Sequence, residues 1–126
     1  MRLLDSDIMV DIQRGYEPAL AWLESLEEAP GLPGLVVMEL MEGCRDKQEM
    51  TNLRKQLQPF SLYWPSAADC NRALITFSEA RLSHGLNILD ALIGQCAVGL
   101  GAALCSFNAK HFRVIEGLVT EEPYTR

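Results

Sequence analysis

The chain opens on Arg2-Leu3-Leu4, too few residues for a helix. The apolar run stops at Asp5-Ser6-Asp7, after which Ile8, Met9 and Ile12 recur at helical spacing. The pattern predicts strand, acidic turn, helix. Glu17 and Pro18 open a second helix, Pro18 to about Glu28, with Trp22 on its apolar stripe, and Pro30-Gly31-Leu32-Pro33-Gly34 ends it. Leu35-Val36-Val37-Met38 fits either strand or helix, but Glu39, Glu42 and Arg45 then mark a polar helical face. A strand end is therefore placed at 34–36 and a helix at about 37–45.

Residues 47–58 carry Met50, Leu53 and Leu57 among charges and amides, the pattern of an exposed amphipathic helix, and Phe60 to Trp64 reads as a strand closed by Pro65. Ser66 is a natural N-cap for a helix with Ala67, Cys70, Leu74 and Phe77 on one face, ending near Ser83-His84-Gly85. Asn87 starts the next helix, Ile88 to about Leu100, which is apolar nearly all round and must be covered on most sides. A strand follows at 102–106, one helical turn at 108–112, a short strand at Val114-Ile115, and a loose tail from 117 to 126 around a core of about 2–116. Strands separated by helices imply right-handed crossovers and an α/β fold, a three-layer α/β/α sandwich around a central, mainly parallel sheet. In such sheets, polar residues just past the carboxyl ends of strands converge on one crevice. Asp5, Asp7 and Asn108 meet that description.

Composition narrows the function. With 126 residues and 48% hydrophobic side chains, the chain makes one domain, 1–126, that needs no disulfide or structural metal to fold. Its four cysteines, 44, 70, 96 and 105, form no Cys-x-x-Cys pair and read as reduced, buried thiols. The N-terminus turns acidic before a signal-type apolar run develops, so a cytoplasmic protein is expected. A net charge of −6 argues against a broad nucleic-acid surface and leaves room only for a small one. Residues 1–63 hold six basic and eleven acidic groups, so the excess carboxylate lies in the first half.

Each acidic candidate has a structural explanation beside the chemical one. Asp7 reads as an N-cap, Asp5 as a turn or capping residue, and Glu39 as a solvated helix residue beside a Glu42–Arg45 pair. Asn87-Ile-Leu-Asp90 has capping-box spacing, yet Asp90 is the only charged residue in 82–109 and stands on a helix whose other faces are buried. Asn108 suits a cap, and His111 reads as a structural or surface histidine. No phosphate-binding glycine loop, Gly-x-Ser-x-Gly elbow or oriented Cys-His pair is present, which disfavours covalent catalysis. Converging carboxylates suit hard divalent cations, so metal-assisted hydrolysis is the enzyme class these residues support best.

The ordered set Leu3-Leu4-Asp5-Ser6-Asp7-Ile8, Val37-Met38-Glu39-Leu40-Met41-Glu42-Gly43, Asn87-Ile88-Leu89-Asp90-Ala91-Leu92-Ile93 and Cys105-Ser106-Phe107-Asn108-Ala109-Lys110-His111-Phe112 resembles a PIN-domain ribonuclease toxin of the VapC type. The resemblance covers residues 3 to about 115. It implies a PIN-like sandwich whose site gathers Asp5, Glu39 and Asp90 as catalytic, metal-holding carboxylates. Asn108 stands where many relatives have a fourth acid, and Ser106 where they often have a small hydroxyl residue; Asp7 and Ser106 are supporting residues. Further implications are a Mg²⁺ cofactor, with Mn²⁺ possible, and endonucleolytic cleavage of RNA such as transfer or ribosomal RNA. A VapB-like antitoxin partner and a homodimer are implied too. The antitoxin is expected to cover apolar residues of the N-terminal half, Trp22 among them, and the apolar helices at 18–28 and 47–58 are the expected contact surfaces between copies. Arg14, Arg45, Lys47, Lys110 and Arg113 are the cations available to neutralise RNA phosphates. Two alternatives stand beside this reading. One is a PIN-like RNA- or protein-binding module whose depleted acidic set no longer holds metal. The other is a receiver-type phospho-acceptor domain, which would need an acceptor Asp that Trp64-Pro65-Ser66 does not supply.

Overall fold

A computed structural model describes residues 1–126. Strand β1 (Arg2–Leu4) pairs in parallel with β4 (Ala103–Cys105), and β4 pairs in parallel with β5 (Thr120–Glu121). A second parallel pair, β2 (Leu32–Pro33) and β3 (Leu62–Tyr63), joins the first through Gly31, whose N–H and carbonyl bond Arg2 and Leu4 of β1. The strand order is therefore β3-β2-β1-β4-β5, with β1 in the middle.

Alternation along β1 and β4 separates the two cores. Leu3 and its register partner Leu104 point to one face, where they pack with Ile93, Cys96 and Ala97 of α6 (Ile88–Leu100) and with Phe112 and Ile115. Leu4 and its partner Cys105 point to the other, against Ile8 and Met9 of α1 (Ser6–Gln13) and Leu53 and Leu57 of α4 (Lys47–Leu57). Helix α2 (Glu17–Ser25) lies beside α1, and α3 (Gly34–Glu42) sends Val36 to the first core and Val37 to the second. Helix α5 (Ala67–His84) covers α6 through a seam of Ala73, Ala80, Leu86 and Ala91. The expected sandwich with a parallel sheet is thus observed. No helix is long and apolar enough to cross a membrane.

Several boundaries differ from expectation. Helix α2 stops at Ser25, where Leu26 turns extended; the acidic pair Glu27-Glu28 would meet the negative end of the helix dipole. The strand expected at 34–36 ends at Pro33, and α3 begins at Gly34. Val114-Ile115 is not a strand: Ile115 is a core residue after a 3₁₀ turn, Ala109–Phe112, and the last strand is β5. The tail expected to be loose is pinned. Tyr124 Oη donates to Asp11 Oδ2 at 2.7 Å, and the Arg126 guanidinium bonds both Asp11 oxygens at 3.0 and 3.1 Å. Of the four cysteines only Cys96 and Cys105 are buried; Cys44 is half-buried and Cys70 exposed, and all four are free thiols.

Candidate active site

Three segments far apart in sequence bring carboxylates to the carboxyl end of the sheet. Asp5 follows β1 directly and caps α1, its Oδ1 accepting the Ser6 N–H at 2.8 Å. Its other oxygen accepts the Ser106 hydroxyl at 2.7 Å, and the residue is only 5% exposed. Glu39 enters from the middle of α3, Asp90 from the first turn of α6, and Asn108 from the loop after β4. All four line one cleft of about 740 Å³, together with His84, Lys110, His111 and Arg113.

The structural explanations for these residues fare unequally. Asp5 is indeed the cap of α1, but a cap needs one oxygen and Asp5 has a second aimed at Ser106. Asp7 is not the N-cap. It sits in the first turn, where Oδ1 accepts the Ile8 N–H at 2.9 Å and Oδ2 accepts Phe107 N–H at 2.8 Å and Asn108 Nδ2 at 3.3 Å. Asp7 therefore ties the loop after β4 to α1. Helix α6 has no capping box: Asn87 Oδ1 accepts the Leu89 N–H at 2.8 Å, with no return bond to Asp90. The same spacing does form one at Ser66 and Asp69 on α5, with bonds of 2.9 and 3.0 Å. Asp90 is left to face the cleft, with His111 Nδ1 at 3.9 Å from its Oδ2. Asn108 precedes the 3₁₀ turn without a side-chain cap bond, and its N–H donates to Ser106 Oγ at 3.0 Å.

Crowding shows in the electrostatics. Burial pushes Asp5, Asp7 and Asp90 above the usual carboxylate range, with the Ser106 and Ser6 bonds opposing it at Asp5 and His111 opposing it at Asp90. Glu39 goes furthest, pushed up to about 7 by burial and then by the charges of Asp5, Asp90 and Glu42. Its Oε1 is buried without a hydrogen-bond partner. Such an oxygen is costly unless a donor or cation meets it. In this conformation no three acidic, thiol or imidazole groups stand at metal-binding spacing. By donor chemistry, Asp5, Glu39 and Asp90 are the side chains able to hold a hard divalent cation, offering oxygens only.

Of the five cations expected beside RNA, the cleft holds Lys110 and Arg113. Arg14 ends α1 away from the cleft and acts on Asp11, Arg45 pairs with Glu49 at 2.9 Å rather than with Glu42, and Lys47 opens α4. These three do not line it, because the far end of α1 and the α3–α4 turn point elsewhere. From the sequence, His111 reads as a structural or surface histidine and His84 only as part of a helix end; both line the cleft. His84 closes α5, and Gly85, at φ +66°, turns the chain so that the histidine reaches the cleft. Neither histidine belongs to a periodic pattern that would mark it.

The PIN domain profile matches residues 2–118. No curated protein matches the chain. Among solved structures, a toxin-antitoxin complex from Klebsiella pneumoniae is similar at 25% identity with a TM-score of 0.79, covering 100% of both chains. VapBC2 from Rickettsia felis, bound to a DNA fragment from its promoter, is 22% identical at TM-score 0.74 and covers 95% of this chain and 96% of that one. DNA-bound VapBC from Salmonella typhimurium reaches a TM-score of 0.82 at 16% identity, with the same coverage. The profile match takes in Asp5, Glu39, Asp90 and Asn108 along with β1 and β4, and the chain belongs to the PIN-domain family.

Proposed function

We propose that this protein is the toxin of a type II toxin-antitoxin pair, a VapC-like, metal-dependent endoribonuclease acting in the cytoplasm. One observation carries the reading: Asp5, Glu39 and Asp90, from three separate elements, face one cleft, and one Glu39 oxygen there is buried without a partner. Packing gives no reason to collect acids whose charges raise one another's pKa. A divalent cation does, since it offsets three negative charges and meets the orphaned oxygen. Mg²⁺, or Mn²⁺ in its place, would be held by Asp5, Glu39 and Asp90. When bound it supplies Lewis acidity that stabilises phosphate charge and lowers the pKa of a water. The protein's own groups do the rest. Ser106 fixes the Asp5 carboxylate, Asp7 fixes the loop carrying Asn108, and Lys110 and Arg113 hold the phosphates against the acidic floor of the cleft.

The antitoxin follows from the likeness to toxin-antitoxin complexes. Trp22 is already packed at 6.1 Å against Tyr124, so an antitoxin peptide meets a partly covered indole. For the homodimer, the expected helices offer little: α4 turns Leu53 and Leu57 inward, and Ala19 of α2 is buried. An open apolar surface lies on α5 and α6, where Leu74 and Ile88 are 66% and 60% exposed at a wholly apolar groove. Light scattering of Leu74→Asp is expected to show a monomer where wild type shows twice that mass. An unchanged mass would move the interface elsewhere.

The activity is tested by incubating partner-free protein with total RNA and Mg²⁺ or Mn²⁺, with and without chelator. Discrete, chelator-sensitive fragments are expected from wild type and none from Asp5→Asn or Asp90→Asn of unchanged melting temperature. Metal-independent binding without cleavage would favour the non-catalytic module, for which Asn108 in place of a fourth acid is the supporting feature.

A further inference from the structure

The segment after β5 holds more than itself. Tyr124 and Arg126 converge on Asp11, the Arg126 guanidinium lies 4.6 Å over the Phe107 ring, and Tyr124 meets the same ring edge-on at 5.1 Å. Phe107 is clasped from below as well, its N–H on Asp7 Oδ2 at 2.8 Å. On either side of it sit the groups that shape the cleft: Ser106, which donates to Asp5 at 2.7 Å, and Asn108, whose N–H donates back to Ser106 Oγ at 3.0 Å. An unbroken set of contacts thus runs from Arg126 through Phe107 and Ser106 to the Asp5 carboxylate.

We propose that Tyr124 and Arg126 are positioning residues for the carboxylate site, a strap that seats Phe107 and through it sets Ser106 against Asp5. The physical case is that the ties of the loop at 106–108 to Asp5 and Asp7 run through its backbone N–H groups, Ser106 and Asn108, and leave the Phe107 ring for the tail to seat. The loop follows a three-residue strand, its one backbone tie to β5 is the Ser106 N–H on the Glu121 carbonyl at 3.0 Å, and Phe107 is only half-buried. Seating an aromatic ring between a guanidinium and a phenol fixes it without burying it in the core. Asp11, 9% exposed, anchors both strap residues, and their bonds hold its carboxyl below the usual range. Arg2 of β1 and Glu121 of β5 pair at 3.0 Å through side chains that line no part of the cleft, which supplies an internal control.

The proposal rests on the metal-nuclease reading for its consequence and not for its geometry, so the test has two arms. In the first, amide hydrogen exchange is measured on wild type, Arg126→Gln, Tyr124→Phe and Arg2→Gln without metal. The Phe107 and Asn108 amides are expected to exchange about tenfold faster in Arg126→Gln and to stay protected in Arg2→Gln, whatever the melting temperatures do. In the second, Mn²⁺ is titrated calorimetrically into the same proteins, Ser106→Ala and the Arg126→Gln/Ser106→Ala double variant. Affinity is expected to fall roughly three- to tenfold in Arg126→Gln, Tyr124→Phe and Ser106→Ala and to stay at the wild-type value in Arg2→Gln, and the double variant to lose no more than the worse of its two single variants. Equal exchange in Arg126→Gln and Arg2→Gln would overturn the proposal, and so would strictly additive losses in Mn²⁺ affinity. If wild type binds no Mn²⁺, the nuclease reading fails and the exchange arm decides the strap alone.

Discussion

Glu39 sits on α3 between residues that serve the two cores, yet its own carboxylate faces other carboxylates. Its pKa rises from 4.5 to about 7 on folding, so between those values the folded protein binds more protons than the unfolded chain. Stability must then fall as pH rises through that window. Asp5, Asp7 and Asp90, also raised, add in the same sense, whereas Asp11 and Asp69, lowered, act at more acidic pH. The metal-free protein is expected to melt higher at pH 5.5 than at pH 8, and Mn²⁺ to raise the melting point more at pH 8, where protons no longer compete. Glu39→Gln should remove cleavage, flatten that slope and melt above wild type at pH 8. A variant less stable than wild type at pH 8 would show that Glu39 contributes to packing. Asn108 poses the converse case. Asn108→Asp takes the formal charge of the free site, with every carboxylate ionised, from −3 to −4 and should raise Mn²⁺ affinity in a calorimetric titration at pH 8. It also replaces the amide donor to Asp7 at 3.3 Å by a like charge, so the metal-free variant should melt lower. Unchanged affinity would mean that residue 108 does not reach the ion.

Among the elements, α5 and α6 are the clearest case of sequence dictating structure, and their contact makes a prediction against habit. Gly99 lies in the last turn of α6 at an exposed position, where alanine ordinarily adds up to about 1 kcal/mol of helix stability. A methyl there would instead meet the carboxylate of Asp69, which Ser66 and Arg72 hold in place at 2.9 and 2.6 Å. Displacing it breaks a capping box and an ion pair, together costing about 2 kcal/mol. Gly99→Ala is expected to lower stability by about 1 kcal/mol in urea unfolding; a gain would show that Asp69 moves freely. These two helices were legible because their caps, Ser66 with Gly85 and Asn87 with Gly101, enclose long apolar patterns. The β2–α3 junction was not, since α3 is buried toward both cores and shows no one-sided period before Met38. Strand β5 was hidden for another reason: two residues of sheet in a polar tail are held by the neighbouring β4, and nothing local encodes that. At the site the same division holds. Asp5 and Asp90 were marked by lying where a strand ends and a buried helix begins, while His84, His111 and the tail's hold on Phe107 arise only from tertiary packing.

Taken as a molecule, the protein must bring a polyanion to an acidic surface, since its net charge is −6 and the floor of its cleft is three carboxylates. The cations that can offset this at close range are few. Lys110 and Arg113 line the cleft, while Arg45, Arg2, Arg72 and Arg126 are engaged with Glu49, Glu121, Asp69 and Asp11. Paired arginines release no counterions from RNA, so the count of phosphates neutralised by side chains should be near two. For single-stranded RNA that gives a slope of log affinity against log salt of about −1.4, shallow for a nucleic-acid-binding protein. Binding of a chemically uncleavable oligonucleotide by Asp90→Asn, followed by fluorescence anisotropy across a salt series in Mg²⁺, measures it. Lys110→Gln and Arg113→Gln are each expected to flatten the slope by about 0.7, and Arg14→Gln or Lys47→Gln to leave it unchanged. A wild-type-like slope in both cleft variants, with loss in Arg14→Gln or Lys47→Gln, would place the RNA path over α1 and α4 instead of along the loop that carries Lys110 and Arg113.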